Sequence, residues 1–279
     1  MNSFSLNIRG KLHHYNKPVV MGILNVTPDS FFSGSRAQSH DEIATRVRQL
    51  IDEGADIIDI GAYSTRPGAG EVSEADEIER LRRGMDVLRN INTEIPVSVD
   101  TFRANVARIA VEQLGCDIVN DISGGDLDPD MIDTVAALKC PYILMHMRGK
   151  PENMQEFTQY TDVAANVMAE IAERLSLAAF AGINDIILDP GFGFSKTLEQ
   201  NYQLMRDMQA FQVFHRPLLV GISRKSMLTK LLDIQAADAL GATTALNAFA
   251  LDRGADILRV HDVAAAVQTV QVYSAINNL

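Results

Sequence analysis

The stretch Val19-Val20-Met21-Gly22-Ile23-Leu24-Asn25 stays apolar until its last residue, an asparagine. Four later stretches share this form, because each is an apolar run that stops at a polar residue. They are Val97–Val99 before Asp100, Asp117–Val119 before Asn120-Asp121, Ile186–Leu188 before Asp189, and Ile257–Leu258 before Arg259-Val260-His261. Such runs are typical of strands buried on both faces of a parallel sheet that helices cover. They predict that polar side chains gather at the rim formed by the carboxyl ends of the strands.

The rest of the chain alternates between strand and helix patterns. Strands are predicted at 19–25, 56–61, 96–100, 117–121, 141–146, 185–189, 217–222 and 256–260. Helices are predicted at 41–53, 74–91, 103–114, 129–139, 161–181, 198–211, 236–253 and 262–276, and a short hairpin at 4–14. Eight strand–helix units spaced about 30 residues apart predict a TIM (β/α)8 barrel, with residues 1–279 as one domain. An open doubly wound sheet is the structural alternative, although the GxGxxG signature of such sheets is absent after the first strand.

Composition narrows the function classes. The formal net charge of −11 argues against a nucleic-acid-binding protein, which would carry a basic face. No apolar run approaches the roughly 20 residues of a membrane helix, and the first residues do not resemble a signal peptide. Cys116 and Cys140 form no zinc pattern and fit a reducing compartment. We therefore expect a cytoplasmic protein with no membrane partner.

Two loops carry oxygen-rich or cationic side chains. Asn25-Val26-Thr27-Pro28-Asp29-Ser30-Phe31 follows the first strand and suits oxygen ligation of Mg²⁺ and a phosphate. An ordinary Asx/Pro turn is an equal alternative. Ser64-Thr65-Arg66-Pro67-Gly68 follows the second strand, and its guanidinium matches phosphate or carboxylate oxygens. A solvated turn explains this second loop equally well.

Asp100, Asn120 and Asp189 are predicted to share the barrel floor. Burying carboxylates costs several kcal/mol unless hydrogen-bond donors meet them. A flat heterocycle with a guanidine-like edge, such as a pterin or guanine, would supply those donors. The alternative is a structural salt bridge to Lys225 or Arg103.

Cations follow the last two predicted strands. Ser223-Arg224-Lys225-Ser226 opens a short helix, where barrels often bind phosphate, although it would also fit a surface helix cap. Lys225 could hydrogen-bond a ring carbonyl or nitrogen. Arg259 and His261 are two residues apart on a strand, and the pair would grip a diphosphate with His261 partly protonated. His146 lacks such a partner and is interpreted as a core residue beside Met145, an apolar wall.

Taken together, these motifs resemble the dihydropteroate synthase family, in family order and over essentially the whole chain. The matching stretches are Met21–Phe31, Ser64–Ala69, Val97–Thr101, Asn120–Gly125, Asp189–Phe194, Ser223–Ser226 and Arg259–Asp262.

The resemblance implies a TIM barrel that joins 6-hydroxymethyl-7,8-dihydropterin diphosphate to 4-aminobenzoate, releasing diphosphate and forming 7,8-dihydropteroate. It implies a homodimer, Mg²⁺ touching Asn25, and inhibition by sulfonamides. The implied catalytic residues are Asp100, Lys225, Asp189 and Arg259. The residues implied to bind the pterin diphosphate are Asn25, Thr65, Asp100, Asn120, Ile122, Met145, Asp189, Lys225, Arg259, Val260 and His261. Those implied to shape the aminobenzoate pocket are Phe31, Thr65, Arg66, Pro67, Phe194 and Ser226.

The chain departs from the family pattern at two places. After Phe31 the family commonly has Ser-Asp-Gly-Gly, whereas this chain has Phe32-Ser33-Gly34-Ser35. A loop carboxylate is therefore missing, and Asp29 is the candidate to replace it at the metal. Before Ser64 the family often has Gly-Glu, whereas Ala62 and Tyr63 stand here.

Two other functions are also compatible with the sequence. The first is methyl transfer from a methyltetrahydrofolate to a corrinoid protein, which would share the pterin floor but has no use for Arg259 and His261. The second is pterin binding without turnover, typically accompanied by loss of one of Asn25, Asp100, Lys225 or Arg259. All four are present.

Overall fold

The computed structural model describes residues 3–27, 36–63 and 72–278, with the side chains of residues 36–39 left out. Its strands are β1 (Phe4–Ile8), β2 (Lys11–Tyr15), β3 (Val19–Asn25), β4 (Ile57–Gly61), β5 (Val97–Asp100), β6 (Ile118–Asp121), β7 (Tyr142–Met145), β8 (Ile186–Asp189), β9 (Leu219–Val220) and β10 (Ile257–Val260). Its α-helices are α1 (Arg36–Asp52), α2 (Glu74–Ile91), α3 (Ala104–Glu112), α4 (Met131–Leu138), α5 (Val163–Phe180), α6 (Leu198–Asp207), α7 (Ser226–Leu232), α8 (Leu240–Asp252) and α9 (Val263–Asn277).

Strands β3 to β10 form one parallel sheet that closes on itself. Their order is β8-β7-β6-β5-β4-β3-β10-β9. A bridge between Leu188 and Leu218 joins the two ends, and the Leu188 N–H donates to the Pro217 carbonyl at 2.9 Å. The predicted TIM barrel is therefore confirmed, and the open doubly wound sheet is excluded. No helix in the described ranges is both long and apolar enough to cross a bilayer.

The predicted hairpin covers the end of the barrel opposite the polar rim. Strands β1 and β2 pair antiparallel, with Phe4 opposite Tyr15. Leu6 and Ile8 are buried in one apolar cluster with the first residues of the barrel strands, including Val19. This end of a TIM barrel serves stability, which leaves the opposite rim for chemistry.

Carboxylates at the amino ends of three strands satisfy backbone donors of neighbouring strands. Asp56 accepts from the Val20 N–H at 2.9 Å, and Asp256 accepts from the Leu218 N–H at 3.0 Å. Asp117 accepts from the backbone N–H of residue 97 at 2.9 Å. The Gly-Ala-Asp-Ile sequences at 54–57 and 254–257 are therefore repeated barrel units, in which the glycine ends a helix at positive φ and the aspartate ties two strands together.

The predicted elements differ from the structure mainly at their ends. The helix predicted at 198–211 stops at Asp207 and continues as a 3-10 segment, Met208–Phe214. The helix predicted at 236–253 begins at Leu240, after a 3-10 turn at Ala236–Asp238. Sequence pattern alone predicts helix ends poorly, because the last turn of a helix can be α-helical or 3-10 at little difference in energy.

Candidate active site

The register of the barrel aligns the polar strand ends. Asn25 pairs with Gly61, Gly61 with Asp100, and Asp100 with Asn120, so residues from four adjacent strands form one row. Gly61 lies between Asn25 and Asp100, and a Cβ at that position would make only ordinary contacts, 3.7 Å from both Asn25 Oδ1 and Asp100 Oδ2. The structure therefore brings Asn25, Asp100 and Asn120 together, as predicted.

Arg259 lies among the carboxylates of this floor. Its Nε donates to Asp59 Oδ2 at 2.6 Å, and its Nη2 donates to Asp100 Oδ2 at 2.6 Å. Asn120 Nδ2 also approaches Asp59, at 3.2 and 3.3 Å. Burial opposes the charge of Arg259, but Asp59 and Asp100 outweigh it and raise the pKa of the guanidinium. Burial raises the pKa of the Asp100 carboxyl, whereas Arg259 opposes that rise.

Asp59 is a site residue that the motifs did not reveal. It is fully buried in β4, between Ile58 and Ile60, and therefore reads as part of an apolar run. The signal that could have found it is a charged residue in the middle of a strand with apolar neighbours on both sides. Such a residue needs a buried partner, and Arg259 is that partner.

The structural alternative for Asp100 was wrong in its choice of partner. Asp100 is salt-bridged to Arg259, whereas Arg103 pairs with the buried Glu77 at 2.6 Å. Thr101 Oγ1 also donates to Glu77, at 2.8 Å. The residues that follow Asp100 are thus anchored to α2, while Asp100 itself faces the barrel floor.

Asp189 and Lys225 form the other side of the floor. Lys225 Nζ donates to the Phe192 carbonyl at 2.6 Å and lies 4.7 Å from the centre of the Phe194 ring. Burial lowers the pKa of Lys225 to about 8, and Asp189 opposes that shift. Asp189 accepts from the Gly191 N–H at 2.8 Å. Burial raises the pKa of this carboxyl, and Lys225 opposes the rise.

An apolar wall stands beside the floor. Ile122, Met145, Met147 and Met154 form a buried cluster, against which Phe194 packs. The predicted wall of Ile122 and Met145 is therefore present. Methionine and phenylalanine faces suit the flat surface of an aromatic ring.

The predicted rim residues at the end of β10 and after β9 differ in how far they are exposed and paired. Val260 is buried in the core beneath the helices, so only its backbone can face a ligand. The expected partial protonation of His261 is not met, because burial and the cations Arg259 and Arg46 lower its pKa to about 4. Arg224 is paired with Asp262 at 2.6 Å, whereas Ser226 is exposed at the first position of α7.

His146 is buried, as predicted, but it does not lack partners. Its Nε2 lies 3.0 Å from Glu170 Oε2, and its Nδ1 lies 3.1 Å from Lys196 Nζ. Glu170 comes from α5 and Lys196 from the loop after β8. Sequence reasoning missed this cluster because its three members are separated by more than twenty residues each.

Tyr63 takes the position where the family often has glutamate. Its ring packs edge-on against Phe102 with 5.1 Å between centroids, and the Arg103 guanidinium lies 5.3 Å from its centre. An aromatic face attracts a guanidinium, as a carboxylate would. The departure therefore replaces an anion with a ring beside Arg103.

Some predicted site residues lie outside the described residues: Asp29, Phe31, Thr65, Arg66 and Pro67. Across residues 3–27, 36–63 and 72–278, no three His, Cys, Asp or Glu side chains come together as a metal site. The described part of the floor and rim combines a floor lined with carboxylates and half-buried cations beside them. That arrangement can bind a flat ring rich in N–H groups and hold an anion above it.

Comparison with known proteins agrees with this chemistry. The sequence profile of the family described as "Pterin binding enzyme" matches residues 21–261. The dihydropteroate synthase of Synechocystis is 44% identical over 92% of this chain and 89% of its own length. The Yersinia pestis dihydropteroate synthase in a sulfonamide drug complex superposes with a TM-score of 0.90, at 37% identity over 99% of both chains.

A third similar protein is also known from a solved structure. The Xanthomonas albilineans dihydropteroate synthase in complex with 7,8-dihydropteroate superposes with a TM-score of 0.88, at 34% identity, over 99% of this chain and 100% of its own. The barrel, its converging floor residues and these matches lead to one conclusion. This chain belongs to the pterin binding enzyme family.

Proposed function

We propose that this chain is a transferase that condenses 6-hydroxymethyl-7,8-dihydropterin diphosphate with 4-aminobenzoate. The products are 7,8-dihydropteroate and diphosphate, in folate biosynthesis. The observation that carries the proposal is the floor, where Asp100, Asn120 and Asp189 at the carboxyl ends of three strands meet Lys225, which directly precedes α7. A pterin ring presents the donors that two carboxylates need and a carbonyl that a lysine ammonium can contact.

Bond breaking comes first in the mechanism we propose. When the C–O bond to the diphosphate breaks, positive charge develops on the methylene group attached to the dihydropterin ring. The carboxylates of Asp100 and Asp189 stabilise that charge from below. The arylamine nitrogen then forms the C–N bond, and its proton passes to water. A dissociative path suits an arylamine, which is a weak nucleophile, and it requires no strong general base.

Arg259 and His261 stabilise the departing diphosphate in this mechanism. Arg259 is already oriented by Asp59 and Asp100, so its guanidinium needs little reorganisation when charge builds on the leaving group. The lowered pKa of His261 keeps its ring neutral at pH 7. A neutral imidazole can still donate one N–H to a phosphate oxygen.

The cofactor we propose is Mg²⁺. Asn25 presents an amide oxygen at the rim, across Gly61 from Asp100. Mg²⁺ usually keeps several waters and is held by few protein ligands together with substrate phosphates, which fits a single protein oxygen. When bound, the ion would neutralise charge on the leaving diphosphate. Asp29 remains the candidate for a further ligand.

The aminobenzoate is proposed to bind above the pterin ring. Phe194 supplies an apolar face, and Ser226 is the first residue of α7, where a helix N-terminus favours a carboxylate. Phe31, Thr65, Arg66 and Pro67 complete the pocket in this proposal, on the basis of the family resemblance.

We also propose a cytoplasmic homodimer. Apolar side chains point outward from α8 and α9, among them Phe249, Val272 and Ile276. Large exposed apolar residues on neighbouring helices are typical of a surface that a second copy covers. Cys116 and Cys140 are free thiols, which fits a reducing compartment. Light scattering of the purified protein tests the dimer, since a monomer mass would contradict it.

A coupled assay tests the function. Purified protein is mixed with both substrates and Mg²⁺, and diphosphate and dihydropteroate are measured together. Equal amounts of both products, formed only when both substrates are present, support the proposal. Methyl transfer without diphosphate release would favour the corrinoid reaction. Pterin binding without turnover would favour a non-catalytic pterin-binding protein.

A further inference from the structure

The strongest unassigned feature is a buried lysine beside the floor. Lys196 is 3% exposed and lies in the loop between β8 and α6. Its Nζ donates to the Gly191 carbonyl at 2.9 Å and to the Phe194 carbonyl at 3.0 Å, and it lies 3.1 Å from His146 Nδ1. An ammonium group has three N–H donors, so these three neutral acceptors use all of them. Burial lowers the pKa of Lys196 to about 7, because little water reaches the ammonium to stabilise its charge.

A chain of hydrogen bonds connects Lys196 to α5. The pKa of His146 is lowered to about 3, by burial and by Lys196, so its ring is neutral. Because Nδ1 faces the ammonium and accepts from it, Nε2 carries the hydrogen and donates to Glu170 at 3.0 Å. Arg148 Nε donates to Glu170 as well, at 3.0 Å. Burial raises the pKa of Glu170, but the hydrogen bonds from His146 and Arg148 outweigh it and lower the pKa to about 2.

The loop that Lys196 holds carries direct contacts to the floor. The Gly191 N–H donates to Asp189 Oδ1 at 2.8 Å, and the Phe192 carbonyl accepts from Lys225 Nζ at 2.6 Å. The two carbonyls bound by Lys196, at Gly191 and Phe194, lie on either side of Phe192. Lys196 therefore fixes both flanks of the carbonyl that orients Lys225.

The loop packs closely against the residue that follows β7. Gly191 has a φ of +72°, and a Cβ there would lie 1.9 Å from the His146 carbonyl oxygen. The backbone of the loop thus rests directly on the residue whose ring contacts Lys196. A substitution of Lys196 that removed its hydrogen bonds to the loop would let Phe192 move away from Lys225.

We propose that Lys196 is a positioning residue, whose ammonium, supported by His146 and Glu170, fixes the loop that aims Lys225 and Asp189 at the pterin ring. The proposal rests on the proposed function, since it names the pterin as the ligand that Lys225 and Asp189 meet. It assigns Lys196 no contact with substrate.

Binding of the pterin diphosphate alone tests the proposal without requiring turnover. We expect Lys196→Met to weaken this binding by about tenfold or more, measured by calorimetry on folded protein. Lys230→Met, at an exposed lysine of α7, is the matched control and should leave binding unchanged. Unchanged binding in Lys196→Met would overturn the proposal. Turnover by the wild-type protein is measured separately. A wild type that binds the pterin diphosphate but forms no product would contradict the proposed function, and it would leave the Lys196 proposal to be decided by the binding data.

Glu170→Gln shows whether the effect passes through Lys196, and it carries the test if Lys196→Met does not fold. This variant weakens the support of His146 but leaves Lys196 in place, so we expect pterin binding to weaken about threefold. In the double variant, binding should be no weaker than in Lys196→Met alone, because the two residues act in series. Unchanged binding in Glu170→Gln, or independent losses that multiply in the double variant, would contradict the proposal.

The pH profile of pterin binding provides a readout that a general loss of stability would not change. Lys225 is faced by Asp189 from β8, Asp100 from β5 and Arg259 from β10. Burial is the main cause that lowers the pKa of Lys225 to about 8, so releasing the loop, which admits water to Lys225, raises that pKa. Binding by Lys196→Met should therefore weaken at a higher pH than binding by the wild type. An unmoved profile would count against the proposal.

Discussion

Replacing Asp59 with asparagine tests whether a buried carboxylate orients Arg259. Asparagine keeps the size of the side chain and one oxygen acceptor, but it removes the charge. Arg259 Nε would then donate to a neutral amide instead of a carboxylate at 2.6 Å. Asp100 would remain as the only carboxylate bonded to Arg259 among the described residues.

The expected loss of stability follows from these contacts. Removing one partner from a buried ion pair costs about 3–5 kcal/mol when the other charge is left alone. Asp100 still neutralises Arg259, so the cost falls to that of one charged hydrogen bond, about 1.5–3 kcal/mol. Relief of the repulsion between Asp59 and Asp100 offsets part of this cost. We expect a net decrease of about 2 kcal/mol in the free energy of unfolding.

Activity should fall more than stability suggests. Because the hydrogen bond that fixes Arg259 Nε weakens when its acceptor becomes neutral, the guanidinium is held less firmly against the leaving diphosphate. Misplacing such a group by about 1 Å can lower kcat by about a hundredfold. We expect a decrease in kcat of between about tenfold and a hundredfold. The measurements are urea unfolding and steady-state kinetics with both substrates.

Asp56→Asn is the matched control. Asp56 lies just before the same strand at the opposite end of the barrel, and its oxygen accepts from the Val20 N–H. An asparagine there keeps the acceptor, so kcat should stay within about twofold of the wild type. The reasoning is refuted if Asp59→Asn also keeps its kcat, or if both variants lose activity to the same extent.

Three further predictions concern the floor and the aminobenzoate pocket. Asp100→Asn and Lys225→Ala should each lower kcat by on the order of a hundredfold or more, because each removes a preorganised charge; near-normal kinetics in both would remove them from the catalytic residues. Above pH 8, kcat/KM for the pterin diphosphate should decline, because Lys225, whose pKa is lowered to about 8, loses its proton; a profile flat to pH 10 would contradict this. Sulfonamides should compete with 4-aminobenzoate and not with the pterin diphosphate in initial-rate kinetics; competition with the pterin would contradict the proposed pocket.

Local pattern was sufficient to predict the barrel. The strand ends at Asn25, Asp100, Asn120 and Asp189 could be read from the chain because each apolar run stops at a polar residue. In a parallel barrel all such ends lie on the same side, so their convergence follows from topology without knowledge of any contact.

Pairings between distant side chains could not be predicted in the same way. Arg259 meets Asp59 across 200 positions of sequence, and Lys196 meets His146 across 50. Which carboxylate a buried cation selects depends on strand register and side-chain direction, and neither is written in local pattern. Asp59 was missed for this reason, and Arg103 was considered for the wrong partner.

The protonation state of His261 also could not be predicted from the sequence. A histidine next to an arginine motif suggested a partly charged ring. The structure half-buries it near Arg259, Arg46 and Arg224, all of which oppose a further positive charge. Burial and the neighbours that a fold supplies decide such a pKa.

The central claim is that one cup holds the pterin ring at its floor and the diphosphate at its rim. A crystal structure with bound 6-hydroxymethyl-7,8-dihydropterin diphosphate tests it most directly. The account predicts ring nitrogens hydrogen-bonded to Asp100, Asn120 and Asp189, with Lys225 on the ring and the diphosphate beside Arg259 and His261. A ring bound away from these carboxylates, or a diphosphate distant from Arg259, would contradict it.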